Sequence, residues 1–297
     1  MSTLPSVTIL AHRGDLAAVA LATALHNRGR CRLTFADEHR LVRARVVHRP
    51  SSGPVDGNAP AAVVAAAGDV VDLPGGIRIT PETDVVLCRI ATLPAAVQSD
   101  QGRQAYAEAE TFALALSWLA GLGDAVVNLP SPMGLAGVEP DLVGLHRLAG
   151  AVGLAVPNLQ LATNAARSPV DPGFGPVDWP ATGLPRWYSA ATHTTKGPPL
   201  PGPLAAGEPV RPVGAALVLG RDVLGAPPTL HDRLAALADA VGLGVCEVGL
   251  GQTGSAAEPV VTGLWAVPRL TGPGQLAALA GYLERRGQDR RMQAAAA

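Results

Sequence analysis

Apolar runs and turn residues alternate from the start of the chain in a way that predicts strand, helix, strand. Val7–Ala11 is a short unbroken apolar run, the mark of a strand buried on both faces. Asp15 stands where an N-cap is wanted, Leu16–Arg28 has helical spacing, and Gly29 follows where a left-handed C-cap fits. Cys31–Ala36 is a second apolar run, so the opening unit argues for a parallel α/β sheet. Arg43–His48 and the Gly/Pro-punctuated chain to Pro81 predict short strands and loops, and Asp84–Ile90 predicts another buried strand. Gln104–Leu122 is the clearest helix. Phe112, Leu116 and Leu119 form its apolar stripe, with Glu108 and Glu110 near its start. Ala125–Asn128 predicts a short strand, and Ser131–Gly134 a loop leaving it.

A second region follows. Asp141–Val152 reads as a helix and Asn158–Asn164 as a strand. From Arg167 to Pro212 proline and glycine crowd the chain and periodicity vanishes, which predicts irregular structure or a mobile lid with one short strand around Arg186–Ser189. Gly214–Ala226 predicts a hairpin turning on Gly220-Arg221-Asp222. A capping pattern from Thr229 to Asp232 opens a helix with Leu230, Leu234, Leu237 and Val241 inward. Strands at Val245–Val248 and Val260–Val267 and a helix at Gln275–Arg285, with Leu276, Leu279 and Leu283 inward, close the pattern. The chain after Gly287 is expected to fray.

Composition narrows the function classes. A length of 297 residues suits one large domain or two ordinary ones. A formal net charge of −1 gives no general electrostatic reason to seek nucleic acid or an anionic membrane. Lys196 is the sole lysine, a bias that a GC-rich bacterial genome explains, and it leaves one ammonium for any site that wants one. Cys31, Cys88 and Cys246 lie far apart in apolar runs, so buried reduced thiols are expected rather than zinc ligands or disulfides. The start lacks the character of a secretion signal and no apolar run is long enough to span a bilayer; a cytoplasmic location is the expectation.

Candidate chemistry is sparse. Gly249-Leu-Gly251-Gln-Thr-Gly254 matches a dinucleotide fingerprint, but no helix can start after it, and a Gly-rich hairpin loop is the better reading. The first βα turn offers His12 and Arg13, and Asp37 ends the second strand where a ribose-binding acid would sit. These three form a nucleotide or metabolite candidate set, against the reading of ordinary turn polarity. His193 and Lys196 are the best local pair for a phosphate or carboxylate, against a solvated loop. His39, Arg40, Arg43, Arg45, His48 and Arg49 make a basic stretch, read as a wet face rather than an anion site. Trp179, Trp187 and Tyr188 either anchor a partner protein or pack their own loop. The seven histidines show no metalloprotease spacing, and neither G-x-S-x-G nor a P-loop is present.

Several segments in order resemble the ATP-grasp family of carboxylate–amine ligases. They are DVVLCRI before a long helix, YAEAETFALALSWLAGL followed by VVNLPSP with Asn128 and Pro130 in a V-x-N-x-P turn, HRLAGAVGLAVPNLQLATN, the hairpin ALVLGRDVLGA, and the helix LHDRLAALADAVGL. The resemblance implies an α/β fold: an N-terminal pre-ATP-grasp (Rossmann-like) parallel-sheet domain over 1–129 and a truncated α+β ATP-grasp-like domain over 130–287, with a flexible tail at 288–297. It also adds Asn128 to the candidate ligand residues. The departures fall on the chemistry. The lysine strand corresponds to Trp187-Tyr188-Ser189, the hairpin arginine to about Ala215, and the metal-holding acid and E-x-N ligands to Gly249, Trp265 and Val267. Magnesium needs hard oxygen ligands, so no metal site, no cofactor and no catalytic residue is expected. Glu247 and Glu258 are the nearest carboxylates available for recruitment. The expectation is a degenerate, non-catalytic accessory protein that binds a protein or peptide partner. The rivals are a divergent ligase using ATP and Mg to form a C–N bond through an acyl phosphate, and a nucleotide or metabolite sensor. Homo-oligomerisation stays open.

Overall fold

The computed structural model describes residues 4–47, 70–80, 85–91, 93, 101–157, 159–162, 175–176, 204–207, 210–253 and 257–296. In chain order the elements are β1 (Ser6–Ala11), α1 (Leu16–Arg28), β2 (Arg32–Asp37), α2 (Glu38–Val42), β3 (Arg45–Val47), β4 (Val70–Leu73), β5 (Ile77–Ile79), β6 (Val85–Cys88), α3 (Gln101–Gly121) and α4 (Leu142–Ala151). They continue with β7 (Leu159–Ala162), β8 (Gly175–Pro176), β9 (Leu204–Gly207), β10 (Arg211–Leu219), β11 (Asp222–Leu224), α5 (His231–Val241), β12 (Val245–Gln252), β13 (Val260–Trp265) and α6 (Pro273–Ala296).

The N-terminal lobe is built on a parallel sheet in the order β2-β1-β6. Period-2 alternation sends Val7, Ile9, Val85 and Leu87 to one face, against Leu21 and Leu25 of α1 and Leu279 and Leu283 of α6. Leu10, Val86 and Cys88 face the other way, against Trp118 and Leu119 of α3 and the antiparallel β3-β4-β5 sheet. Sheet burial on both faces is the reason these strands read as unbroken apolar runs. Asp15 caps α1 by accepting from Ala18 N–H at 3.0 Å, and Gly29 ends it in the left-handed conformation.

The C-terminal lobe is antiparallel, in the order β11-β10-β12-β13. One face packs on α4 and α5, through Leu145, Leu234 and Leu237 against Ala216, Val218, Cys246 and Val248. The opposite face meets α6 along part of its length. Leu217, Leu219 and Val245 join the core under α6. Further along, the same face carries Glu247, Trp265, Gly249 and Gly263, outside the cluster packed on α6. No helix among the described residues is long and apolar enough to cross a membrane.

Five expectations need correction. Gly249 and Gly251 lie inside β12, not in a hairpin loop, because the sheet face there has no room for side chains. Thr229 does not cap α5: a 3-10 turn at Pro228–Leu230 precedes it, and Leu230 takes the N-cap position without a side-chain bond. Ala125–Asn128 is held by single bridges, Val86 to Val126 and Asn128 to Leu243, rather than forming a strand. Within the Pro/Gly-rich stretch, β8 and β9 pair with β7 as an antiparallel sheet whose Gly/Ala-rich strands carry no alternation signal; Arg186–Ser189 lies outside the described residues. The closing helix runs to Ala296 instead of fraying past Gly287. Gly287 keeps it close to the body, since an added Cβ would sit 2.9 Å from Pro5. Buried Glu284 pins it through a two-point pair with Arg28 at 2.8 Å.

Candidate functional site

The face of β12 and β13 that carries Glu247 and Trp265 is where the resemblance places a metal. Register fixes what stands there. Gly249 lies between Ala215 of β10 and Gly263 of β13, and Glu247 between Leu217 and Trp265. A methyl on Gly263 would fall 2.6 Å from the Trp265 ring, and one on Gly249 would fall 2.9 Å from that ring and 2.7 Å from Thr262 Oγ1. The two glycines therefore make the floor on which the indole lies. Beside it, the buried Glu247 carboxylate accepts from Arg269 N–H at 2.8 Å, from Arg269 Nε at 2.8 Å and from Arg269 Nη2. Arg269 Cζ lies 5.4 Å from the centroid of the Trp265 ring, in cation–π range. Leu270 follows with φ 51°, the one non-glycine residue in the left-handed region among those described, and its buried side chain anchors the turn.

These residues do not fit a divalent ion. Magnesium asks for several hard oxygens in near-octahedral array. Here the ring of Trp265 lies over the floor, and the nearest carboxylate already has a cation on it. Glu258, the other recruitable acid, is paired with Arg233 at 3.0 Å, while Arg233 also donates to the carbonyls of Gly153 and Thr229. Among the described residues no three His, Cys, Asp or Glu side chains gather as a ligand set.

Two buried polar struts join this sheet to the N-terminal lobe. Arg89, at the end of β6, is 4% exposed; it grips Asp15 with Nε at 2.8 Å and Nη2 at 3.2 Å and donates from Nη1 to Pro268 O at 3.0 Å. Burial alone would raise the Asp15 carboxyl, but the Arg89 hydrogen bonds and charge, with the Ala18 and Ala17 N–H groups, hold it below its ordinary value. Asn128, 1% exposed, donates to Val245 O and Ala266 O and accepts from Val245 N–H. Glu139 reaches the same strand by accepting from Ala266 N–H at 3.1 Å, and partial desolvation raises its carboxyl above the usual range.

The predicted ligand residues divide accordingly. Asn128 spends its amide on the sheet backbone as a strut. The βα turn is filled from within: Arg13 N–H donates to the buried Glu38 at 2.7 Å, with His12 at 3.9 Å from the same carboxylate. Asp37 caps α2 by accepting from Arg40 N–H at 2.9 Å. An internal acid thus stands where the sensor reading wants an anion. His193, Lys196, Trp179, Trp187, Tyr188, His48 and Arg49 lie outside the described residues. All three cysteines are buried, and burial pushes the Cys88 and Cys246 thiols up to about 12, away from the thiolate form a nucleophile uses. An open depression of about 430 Å³ between the β10–β11 turn and α6 is far simpler: Arg285 pairs with Asp222, and Arg286 donates to the carbonyls of Asp124 and Val126. Sequence reasoning missed Arg89 and Arg269. The first sat in view as the arginine ending DVVLCR, whereas nothing in the spacing of the second marked it.

No family model matches the sequence, and no curated protein matches it. Solved structures do. The ATP-grasp ligase PsnB complexed with minimal precursor, Mg and ADP superposes with a TM-score of 0.69 at 18% identity, over 97% of this chain and 99% of that one. The macrocyclase MdnB from Microcystis aeruginosa MRC gives 0.60 at 15% identity, over 94% and 99%. A RiPP-associated ATP-grasp ligase from Chryseobacterium gregarium, in complex with ADP and a leader and core peptide, gives 0.59 at 11% identity, over 97% of each chain. With two lobes, a parallel sheet joined to an antiparallel one, and matches spanning nearly all of both chains, this protein has the fold of the ATP-grasp ligases.

Proposed function

We propose that this chain is a non-catalytic, partner-binding protein on the ATP-grasp scaffold, taking a protein or peptide at the cleft between its lobes. The observation that carries the reading is the sheet face itself, where the Trp265 ring lies on Gly249 and Gly263 and Arg269 neutralises Glu247 beside it. Phosphoryl transfer needs the triphosphate charge offset by metal and cations at fixed positions. Here the ionic groups next to the face, Glu247 with Arg269 and Asp15 with Arg89, are already matched to each other. A peptide as partner is supported by the company of the fold, since PsnB is seen with precursor and the Chryseobacterium ligase with leader and core peptide. A cytoplasmic site of action belongs to the same reading.

A divergent ligase is the second reading. The full-length match to ligases holding ADP favours it, because the whole scaffold is kept. Calorimetry with Mg–ATP decides between them. We expect no saturable heat, and co-purification of a partner when the chain is expressed with its genomic neighbours. Saturable ATP binding with ADP release on adding a carboxylate and an amine would establish the ligase instead.

A further inference from the structure

We propose that Glu247 is a cation-binding socket whose resident cation is the chain's own Arg269, and that it accepts a free guanidinium-type cation once that side chain is removed. The carboxylate is 6% exposed, on a central strand of the antiparallel sheet. An unpaired charge in such a place is costly and needs a compensating partner. Among the described residues, the donors that reach Glu247 come from one residue: the Arg269 N–H on Oε2, and Nε and Nη2 on Oε1.

The direction of approach is what makes this a socket rather than a core ion pair. Arg269 comes from outside, its side chain 52% exposed, after β13 has ended. Its removal opens a route from solvent to the acid without digging a cavity into either hydrophobic core. The walls remain. Trp265 still lies on Gly249 and Gly263, offering a ring face at the 5.4 Å at which it now meets the guanidinium. Buried Leu270, held in its left-handed turn, still presents the residue 269 N–H to Oε2. A planar cation with two parallel N–H donors fits a carboxylate edge under an aromatic face better than a spherical ion does.

The inference rests on the reading that no divalent ion uses this face, and its test separates the two. Arg269→Ala should lower the Tm by on the order of 5 °C, since Glu247 loses its paired cation. Millimolar methylguanidinium should restore at least half of that loss, while leaving the wild type and the Arg269→Ala/Glu247→Gln variant unmoved. Rescue that is absent, or equal in the double variant, overturns the socket and leaves the proposed function standing. Saturable binding of Mn²⁺ by the wild type, followed by electron paramagnetic resonance, overturns both. If Arg269→Ala does not fold on expression, refolding it from urea with and without methylguanidinium applies the same criterion to the yield of folded protein.

Discussion

A single acid shows how burial and charge compete at this site. Glu139 is exposed at the surface, yet its carboxylate accepts from the Ala266 N–H, and partial desolvation lifts its carboxyl above 4.5. The folded state therefore favours the protonated form. The contribution of this group to stability is fully present below 4.5 and is lost as pH rises through the folded value, the reverse of an acid in an ion pair. Glu139→Gln keeps an oxygen for the Ala266 N–H and removes the ionisation. We expect its Tm at neutral pH to rise by roughly 1–2 °C after allowing for water around an exposed group, with the advantage gone at acid pH. Melting curves across pH check this. Glu247 makes the contrasting case. It is more deeply buried, and a guanidinium sits on its carboxylate.

Elements with local punctuation were legible from the chain. The Asp15 cap, the Gly29 stop and the apolar runs of β1, β6 and β12 each declare themselves within a few residues. Elements held by distant partners were not. β8 and β9 exist through pairing alone, and α6 extends because Pro5, Arg28 and Val85, far away in sequence, meet it at Gly287 and Glu284. The glycines of β12 and β13 belong to this second kind: a turn signal by composition, a ring seat by register. Gly263→Ala tests that seat. The methyl must displace the indole, at a cost of about 1–3 kcal/mol as for other overpacked sites. Urea unfolding should show the loss, and near-UV circular dichroism should show Trp265 leaving its fixed orientation, while Gly274→Ala, with open space around its Cβ, should not perturb that signal.

At the scale of the molecule, the lobes meet through polar struts that terminate on the site strands. Arg89 spans the first βα turn and Pro268, one residue before Arg269, so the N-terminal sheet sets where the guanidinium of the site begins. Asp15→Asn keeps a capping side chain but leaves Arg89 buried without its counter-charge, a loss of about 3–5 kcal/mol at neutral pH. Because the folded Asp15 carboxyl lies below 3.8, the wild type keeps this contribution above that value and loses it as pH falls through the folded one. The gap between wild type and variant in urea should close at acid pH accordingly. Such junctions are invisible to periodicity, which is why the order of strands and helices was readable while the partners of Arg89 and Arg269, distant in sequence, were not. One feature of the site constrains any attempt to rebuild it. The indole of residue 265 rests where a carboxylate at 249 would have to grow, so an engineer adding Asp at 249 first would meet a collision and an unstable intermediate. Clearing 265 alone is not enough, because Thr262 Oγ1 lies 2.7 Å from the same methyl position, so a stepwise library that samples the positions singly would not find an acid that fits there.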